Sequence, residues 1–269
     1  LKGSGIKVFH YIPPQVWASR KWRIKGIKKY VDEVLCIFPF EIEMYQKEGI
    51  NVHYCGHPLI KQLPEKADRE QFFAKHGLDT TRPLVSIFPG SRTIELRFLA
   101  NTFIKSAKQL QKKHPEIQFC ISHAPNLSDD IFDKYINGTD FKVIKGENQA
   151  LLSISDSLIL ASGTVALEAA LYQIPMIIGY KGPWILYLAY LLVRCIKKVS
   201  LPNIITGEDI VPELIQAKFN TENICYETEK NLYNKEYRIG FIKALGMVKE
   251  KLSDKYSAEE VANEIIKAL

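Results

Sequence analysis

The sequence predicts an α/β protein with two Rossmann-like domains, because short β-rich runs alternate with longer helical ones along most of its 269 residues. Hydrophobic residues make up 46% and charged residues 25%, a globular composition that excludes a disordered chain. The formal charge of +6 is too small to indicate a nucleic-acid-binding protein. No apolar run reaches the roughly 18 residues that a membrane-spanning helix needs.

The first series of elements occupies residues 1–60. Its apolar runs predict strands at 6–11, 34–38 and 52–55, with helices between them at 20–30 and 41–48. The sequence opens within this series, so we expect residues 1–60 to be the C-terminal part of a first domain. Residues 61–82 are more polar and contain Pro64 and Gly77, which predicts a linker around a short helix.

The second series, residues 83–269, is predicted to be a complete domain with terminal helices. The run at 84–88 is apolar except for Ser86, which is typical of a buried parallel strand. The helix predicted at about 94–113 has apolar residues at steps of three and four, which form one buried stripe. These residues are Leu96, Leu99, Phe103, Ala107 and Leu110. Further strands are predicted at 117–121, 141–144, 157–160 and 176–180, and mainly helices after about residue 200.

The turn after the first strand of this domain has the composition of a phosphate site. Gly90 permits close approach of the backbone to a ligand, and Ser91 precedes a helix whose free N–H groups favour anions. Arg92 adds a fixed positive charge, and Glu95 lies in the next helical turn. The alternative is a helix capped by Ser91 beside a surface arginine.

A second turn, after the strand at 157–160, has similar features. Ser162, Gly163 and Thr164 are small residues at a strand-to-helix junction. Glu168 lies one helical turn beyond Thr164 in an otherwise apolar helix, and its carboxylate suits a ribose diol. The alternative is a glutamate that faces solvent or bonds to the backbone. Asn203, in a later polar turn, is either a ligand contact or a turn residue.

Cysteine and histidine spacing does not predict a metal site. His53 and His57 are four residues apart, but the Gly-His-Pro turn at 56–58 breaks any helix there. The five cysteines contain no CxxC pair, and most lie in apolar runs, Cys225 being the exception. We therefore expect free, buried thiols in a reducing compartment.

Two segments have features of membrane or anion contact. An uncharged apolar run occupies 183–193 and is followed by cations, so it is either a membrane-interface segment or a buried helix. Its interface candidates are Trp184, Tyr187, Leu188, Leu191, Arg194 and Lys197. Six of the ten residues at 20–29 are basic, which indicates either an anion-binding surface or a solvated helix face with Trp22 on its apolar side.

The motifs together resemble lipid-A-disaccharide synthases. They occur in the order and spacing of that family: HYIPPQVWA at 10–18, GHP at 56–58, PGSR at 89–92 with Glu95, ASGTVALE at 161–168 and SLPN at 200–203. The resemblance covers essentially the whole chain. It implies the GT-B fold of two Rossmann-like domains and an inverting glycosyltransferase that needs neither a metal nor a cofactor.

The resemblance also implies a reaction and a place. The family joins UDP-2,3-diacylglucosamine to 2,3-diacylglucosamine 1-phosphate, giving lipid A disaccharide 1-phosphate and UDP, at the cytoplasmic face of the bacterial inner membrane. It places the donor at Gly90, Ser91, Arg92, Glu95, Ser162, Gly163, Thr164, Glu168 and Asn203, and the acceptor near His10, Gln15 and Trp17. The partners it implies are the two lipids and the membrane surface, with no nucleic acid, and a homodimer is compatible with it.

One part of the family pattern is not seen in this sequence. The Gly-rich loop and the aspartate proposed as general base in the family belong to an N-terminal segment, so we expect this chain to bind UDP but to transfer poorly. Two alternatives remain open. One is another GT-B UDP-sugar enzyme, either an epimerase or a cell-wall glycosyltransferase. The other is a non-catalytic remnant that binds nucleotide or membrane.

Overall fold

The computed structural model describes residues 5–19, 21–183, 198–252 and 255–268. They form two compact units. One contains the described parts of 1–63 and 248–269 with Pro183 and Lys198, and the other contains 64–182 and 199–247. These units divide the chain differently from the predicted boundaries at 60 and 83, because residues 64–82 belong to the second unit and the C-terminal residues to the first.

The first unit contains a three-stranded parallel sheet in the order β1–β2–β3. The strands are β1 (Phe9–Tyr11), β2 (Glu33–Cys36) and β3 (Asn51–Tyr54), and the helices up to residue 63 are α1 (Val16–Ser19), α2 (Ile24–Tyr30), α3 (Phe40–Lys47) and α4 (Leu59–Gln62). β1 is shorter than the strand predicted at 6–11, because the Val8 N–H bonds to the Asp32 carboxylate (2.9 Å). The helix predicted at 20–30 is a 3₁₀ turn, Lys21–Arg23, followed by α2.

The second unit contains a six-stranded parallel sheet in the order β6–β5–β4–β7–β8–β9. The strands are β4 (Leu84–Phe88), β5 (Gln118–His123), β6 (Lys142–Lys145), β7 (Ser157–Ala161), β8 (Met176–Tyr180) and β9 (Glu213–Ile215). The helices are α5 (Arg69–His76), α6 (Thr93–Lys113), α7 (Asp129–Ile136), α8 (Asn148–Ile154), α9 (Val165–Leu171), α10 (Leu201–Thr206), α11 (Thr221–Tyr233) and α12 (Lys235–Leu252), the last ending in the first unit.

The core of the second unit confirms the helical stripe predicted on α6, since all five of its apolar residues are buried. Phe103 of this stripe meets Phe219 edge to face, with ring centroids 5.1 Å apart. Both rings pack over β8 at Gly179, where a Cβ atom would lie 2.4 Å from Phe219 and 2.8 Å from Phe103. A glycine is required there because the two rings occupy the space of a side chain.

Residues 64–82 pack into the second unit rather than forming only an extended connection. Phe72 and Phe73 of α5 are buried, and Arg69 bonds to the Asp156 carboxylate (2.8 Å) while lying 4.3 Å from the centre of the Phe73 ring. The charge-assisted bond and the apolar contacts together fix α5 to this unit.

The C-terminal helix α13 (Ser257–Ile266) belongs to the first unit. His53 of β3 lies 3.2 Å from the Glu260 carboxylate of this helix, and the Tyr11 hydroxyl bonds to that of Ser257 (2.8 Å). Among the described residues, no helix is both long and apolar enough to cross a membrane.

The free thiols predicted from the sequence are confirmed for the four described cysteines. Cys36, Cys55, Cys120 and Cys225 are all buried and unpaired by disulfides. Cys225 is buried because α11 packs on α6, and its Sγ lies 3.5 Å from the Ser106 carbonyl oxygen. Burial raises the pKa of the Cys36 and Cys120 thiols to about 12, so they are inert as nucleophiles.

Candidate functional site

The order of the second sheet reverses between β4 and β7. From β4 the chain moves outward through β5 to β6, then returns so that β7 pairs with the other side of β4. Ligands of open α/β sheets bind at the carboxyl ends of the strands beside such a switch point. The two turns singled out from the sequence follow β4 and β7, so the fold brings them to this position.

A cavity of about 520 Å³ lies at the switch point. Its size is that of a small-molecule site. Eight of the nine predicted donor residues line it: Gly90, Ser91, Arg92, Glu95, Ser162, Gly163, Thr164 and Glu168. The sequence therefore identified two separate segments that meet around one space.

The turn at 90–92 is shaped by Glu95. Its Oε2 accepts the backbone N–H groups of Ser91 (2.8 Å) and Arg92 (3.3 Å). Gly90 has φ +112°, and a Cβ atom there would lie 2.3 Å from the same Oε2. Arg92, rather than Ser91, is the N-cap residue of α6. The backbone donors expected to bind phosphate are thus already bonded to a carboxylate of the chain itself.

The Arg92 guanidinium remains accessible. Its side chain is 77% exposed, and Nη1 lies 3.6 Å from Glu95 Oε1. An exposed ion pair at this distance contributes little to stability. The guanidinium can therefore turn toward an anion in the cavity at small cost.

The turn at 162–164 has backbone donors that are not engaged. Thr164 is the N-cap residue of α9, and its side chain makes no capping bond. Its carbonyl oxygen accepts the N–H of Leu167 (2.9 Å), but no acceptor contacts the N–H groups of Thr164 and Val165 within the described residues. Both residues line the cavity, so this side offers the N–H donors that the turn at 90–92 does not.

Glu168 presents a carboxylate to the same cavity. Its side chain is half-buried, and burial raises its pKa, whereas a hydrogen bond with Gln149 acts to lower it. A partly desolvated carboxylate with few partners gains from hydroxyl donors. This chemistry matches a sugar diol.

Three polar cavity residues were not identified from the sequence: Ser122, Asn148 and Gln149. Ser122 lies near the end of β5, and its hydroxyl bonds to Asn148 Oδ1 (2.8 Å) at the start of α8. Only their position could have identified these residues from the sequence, because the end of β5 and the start of α8 lie beside the switch point.

Comparison with known proteins identifies the family of the chain. The chain matches the family model described as Lipid-A-disaccharide synthetase over residues 1–266. The lipid-A-disaccharide synthase of Geobacter sulfurreducens is 37% identical over 268 residues, covering 98% of this chain and 70% of the relative. That of Coxiella burnetii (strain CbuG_Q212) is 36% identical over 265 residues, with the same coverage. The chain belongs to the lipid-A-disaccharide synthase family. It is therefore a glycosyltransferase by family.

Solved structures with the same fold are UDP-sugar enzymes of GT-B type. A UDP-GlcNAc 2-epimerase from Neisseria meningitidis bound to UDP-GlcNAc has a TM-score of 0.67 and 14% identity, covering 97% of this chain and 70% of that one. A UDP-N-acetylglucosamine 2-epimerase, described as putative, from Listeria monocytogenes has a TM-score of 0.60 and 15% identity, covering 88% and 60%. At these identities they show the fold alone, which confirms the predicted α/β class.

Asn203, the ninth predicted donor residue of this family member, does not line the switch-point cavity. It is 1% exposed, and its amide bonds to the Val211 carbonyl (2.9 Å), the Val211 N–H (2.8 Å) and the Glu213 carboxylate (2.9 Å). Glu213 also accepts the N–H and hydroxyl of Ser200. In this structure the SLPN turn is held to β9, and donor contact by Asn203 stays a prediction.

The residues predicted on the acceptor side lie in the first unit. His10 is the middle residue of β1, Gln15 is exposed, and Trp17 is buried in α1. The Trp17 indole N–H donates to the Glu41 carboxylate (3.0 Å), so its polar group is engaged inside the unit. Burial raises the pKa of Glu41 to about 7.

The interface candidates Trp184, Tyr187, Leu188, Leu191, Arg194 and Lys197 all lie outside the described residues. Where side chains are described, no group of three or more His, Cys, Asp or Glu residues is placed to hold a metal ion. A reaction that needs no metal therefore stays a prediction from the family resemblance.

Proposed function

We propose that the second unit binds the UDP moiety of UDP-2,3-diacylglucosamine in the switch-point cavity. The chain would then serve the transfer of the diacylglucosamine unit to 2,3-diacylglucosamine 1-phosphate. One observation carries the donor assignment: the Glu168 carboxylate and the free N–H groups of Thr164 and Val165 line one cavity at the carboxyl ends of β4 and β7. Family membership supplies the class of reaction.

The cavity residues divide between the parts of a nucleoside diphosphate. Glu168 would accept the ribose hydroxyls, because its carboxylate is half-buried and, within the described part of the chain, Gln149 is the one side chain that donates to it. The N–H groups of Thr164 and Val165 and the Arg92 guanidinium would hold the diphosphate. Glu95 would act through the loop that it shapes and not through contact with the donor.

These donors also suit the chemistry of transfer. Breaking the bond between sugar and UDP leaves negative charge on the diphosphate, which fixed donors stabilise as it develops. We assign no residue of this chain to the group that takes the proton of the acceptor hydroxyl. Donor binding and transfer are therefore measured separately.

We also propose that the protein works at the inner face of a bacterial inner membrane. The support is chemical, because the proposed donor and acceptor both carry acyl chains and reside in a bilayer. Their glucosamine and phosphate groups are presented at its surface, where a peripheral enzyme reaches them.

Calorimetric titration with UDP tests the donor site. Wild type should bind saturably, and Glu168→Ala should bind at least about tenfold more weakly through loss of a charge-assisted hydrogen bond. Glu250→Ala is the matched control, since Glu250 is an exposed glutamate outside the cavity. Equal affinity in Glu168→Ala and wild type, with both folded by circular dichroism, would remove the assignment.

A further inference from the structure

The segment after α1 presents an exposed surface that the donor site does not use. Residues 21–30 are exposed except for two isoleucines, and we call six of the exposed residues the basic–aromatic patch. The patch consists of Lys21, Trp22, Arg23, Lys25, Lys29 and Tyr30. It contains no acidic residue.

Helix α2 attaches to the first unit without using the patch. Ile24 and Ile27, one turn apart, are 4% and 7% exposed and pack in the core with Val31 and Val34. Trp22 does not join them. The possibility that Trp22 lies on the apolar side of the helix is therefore wrong, because its side chain is 71% exposed.

The exposed aromatics are held beside cations. The Arg23 guanidinium lies 5.6 Å from the Trp22 ring, and Lys29 Nζ lies 5.1 Å from the ring of Tyr30, which is 60% exposed. A large apolar ring left in water beside a cation has a contact on one side only. The other ring face stays available to a partner.

The positive charges of the patch are not neutralised by acidic side chains in the described part of the chain. Within the described residues, Lys21, Arg23, Lys25 and Lys29 form no ion pair with an acidic side chain. An anionic surface would therefore meet four cations without displacing an internal partner.

We propose that the basic–aromatic patch is a docking surface for an anionic lipid bilayer. Lysine and arginine attract anionic headgroups, and tryptophan and tyrosine settle at the boundary between headgroups and acyl chains. Both chemistries occur together in one exposed stretch of ten residues. A nucleic acid would use the same cations, but the exposed indole and phenol rings favour the membrane interface.

This inference extends the proposed location at a membrane and names the surface that makes the contact. It does not depend on the UDP site. The tests below contain no nucleotide, so failure of the patch and failure of the donor site are distinguishable.

Vesicle flotation with the full chain tests the charges. Wild type should float with phosphatidylcholine vesicles that contain phosphatidylglycerol, and far less with phosphatidylcholine alone. The triple variant Lys21→Glu/Lys25→Glu/Lys29→Glu should lower the partition coefficient by at least about tenfold. The control is Lys105→Glu/Lys108→Glu/Lys112→Glu, three exposed lysines of α6 in the other unit. Both triples change the formal charge from +6 to 0, so a difference between them reports position and not net charge.

A second variant tests the aromatic part. Trp22→Ser should lower the partition coefficient roughly tenfold, and the loss should persist in high salt because it is apolar. Tyr226→Ser, which removes a 59% exposed ring from the second unit, should float like wild type. Circular dichroism confirms that each variant is folded.

Three results would overturn the proposal. If wild type fails to float with anionic vesicles, the protein does not bind an anionic bilayer. Equal flotation of the patch triple and the α6 triple means that another surface binds the bilayer. Binding to a duplex DNA or RNA probe that is lost in the patch triple, with no vesicle binding by wild type, assigns the cations to nucleic acid.

Discussion

The proposed ribose contact of Glu168 is tested by removing either partner of the hydrogen bond. The carboxylate is half-buried in the cavity, where it has a hydrogen bond with the Gln149 side chain. A hydrogen bond to a charged group contributes about 1.5–3 kcal/mol. At about 1.4 kcal/mol per tenfold change, its loss weakens binding by roughly 10- to 150-fold. Glu168→Ala should weaken UDP by that factor.

The ligand supplies the second half of the experiment. For wild type, 2′-deoxy-UDP or 3′-deoxy-UDP should bind more weakly than UDP by a comparable factor, whichever hydroxyl Glu168 accepts. For Glu168→Ala, UDP and that deoxy nucleotide should bind alike, because the interaction is already gone. Calorimetry gives the four affinities. A deoxy penalty of the same size in the variant would refute the contact, since the hydroxyl would then bind another group.

The same pair of ligands gives a pH dependence with a defined sign. Burial raises the pKa of Glu168, and only the ionised carboxylate accepts both hydroxyl hydrogens. The advantage of UDP over its deoxy form should therefore grow as pH rises through that raised pKa and shrink below it. Ionisation of the diphosphate cancels in the comparison. Gln149→Ala removes a bond that lowers this pKa, so the transition should move to higher pH.

Three more predictions concern stability, measured by urea unfolding. Gly90→Ala should cost about 2 kcal/mol or more, because φ is +112° and the new Cβ would lie 2.3 Å from the Glu95 carboxylate; wild-type stability would contradict this. Burial raises the Glu41 pKa from 4.5 to about 7, so about 3 kcal/mol of stability, present below pH 4.5, is lost as pH rises through 7. Glu41→Gln should flatten that profile, and an unchanged profile would exclude Glu41 as its source. Glu213→Ala leaves buried donors of Ser200 and Asn203 without this acceptor and should lower the free energy of unfolding by about 3 kcal/mol. An unchanged free energy of unfolding would contradict this and would mean that water replaces the carboxylate.

The sequence predicted best what depends on a strong local pattern. The limits of β4 and β8 agree with the predicted strands, because each is a mostly apolar run that follows a proline and ends before a proline or a lysine. The stripe on α6 follows from its spacing alone. The two turns that form the cavity were found because small residues at strand-to-helix junctions have a clear composition.

Other features depend on partners far apart in the chain. The region after residue 200 is mainly helical, as predicted, but the prediction did not include β9, which has only three residues, too few to show a period of two. Pairing with β8 creates it, since Gly179 and Tyr180 are the partners of Leu214 and Ile215. The exposure of Trp22 is similar, because only the packing of its neighbours shows that no core position remains for the ring.

The two turns at the switch point show why composition alone does not identify an anion site. Both follow a buried strand, contain glycine and lead into a helix. At 90–92 the glutamate three residues into the helix returns to the backbone and takes its N–H groups, and the glycine gives it room to do so. At 162–164 the glutamate is four residues beyond Thr164 and also lines the cavity, but within the described residues it does not bond to the N–H groups of its turn. We therefore predict that the turn at 162–164 holds the diphosphate through its open N–H groups, whereas the turn at 90–92 contributes only the exposed Arg92 guanidinium.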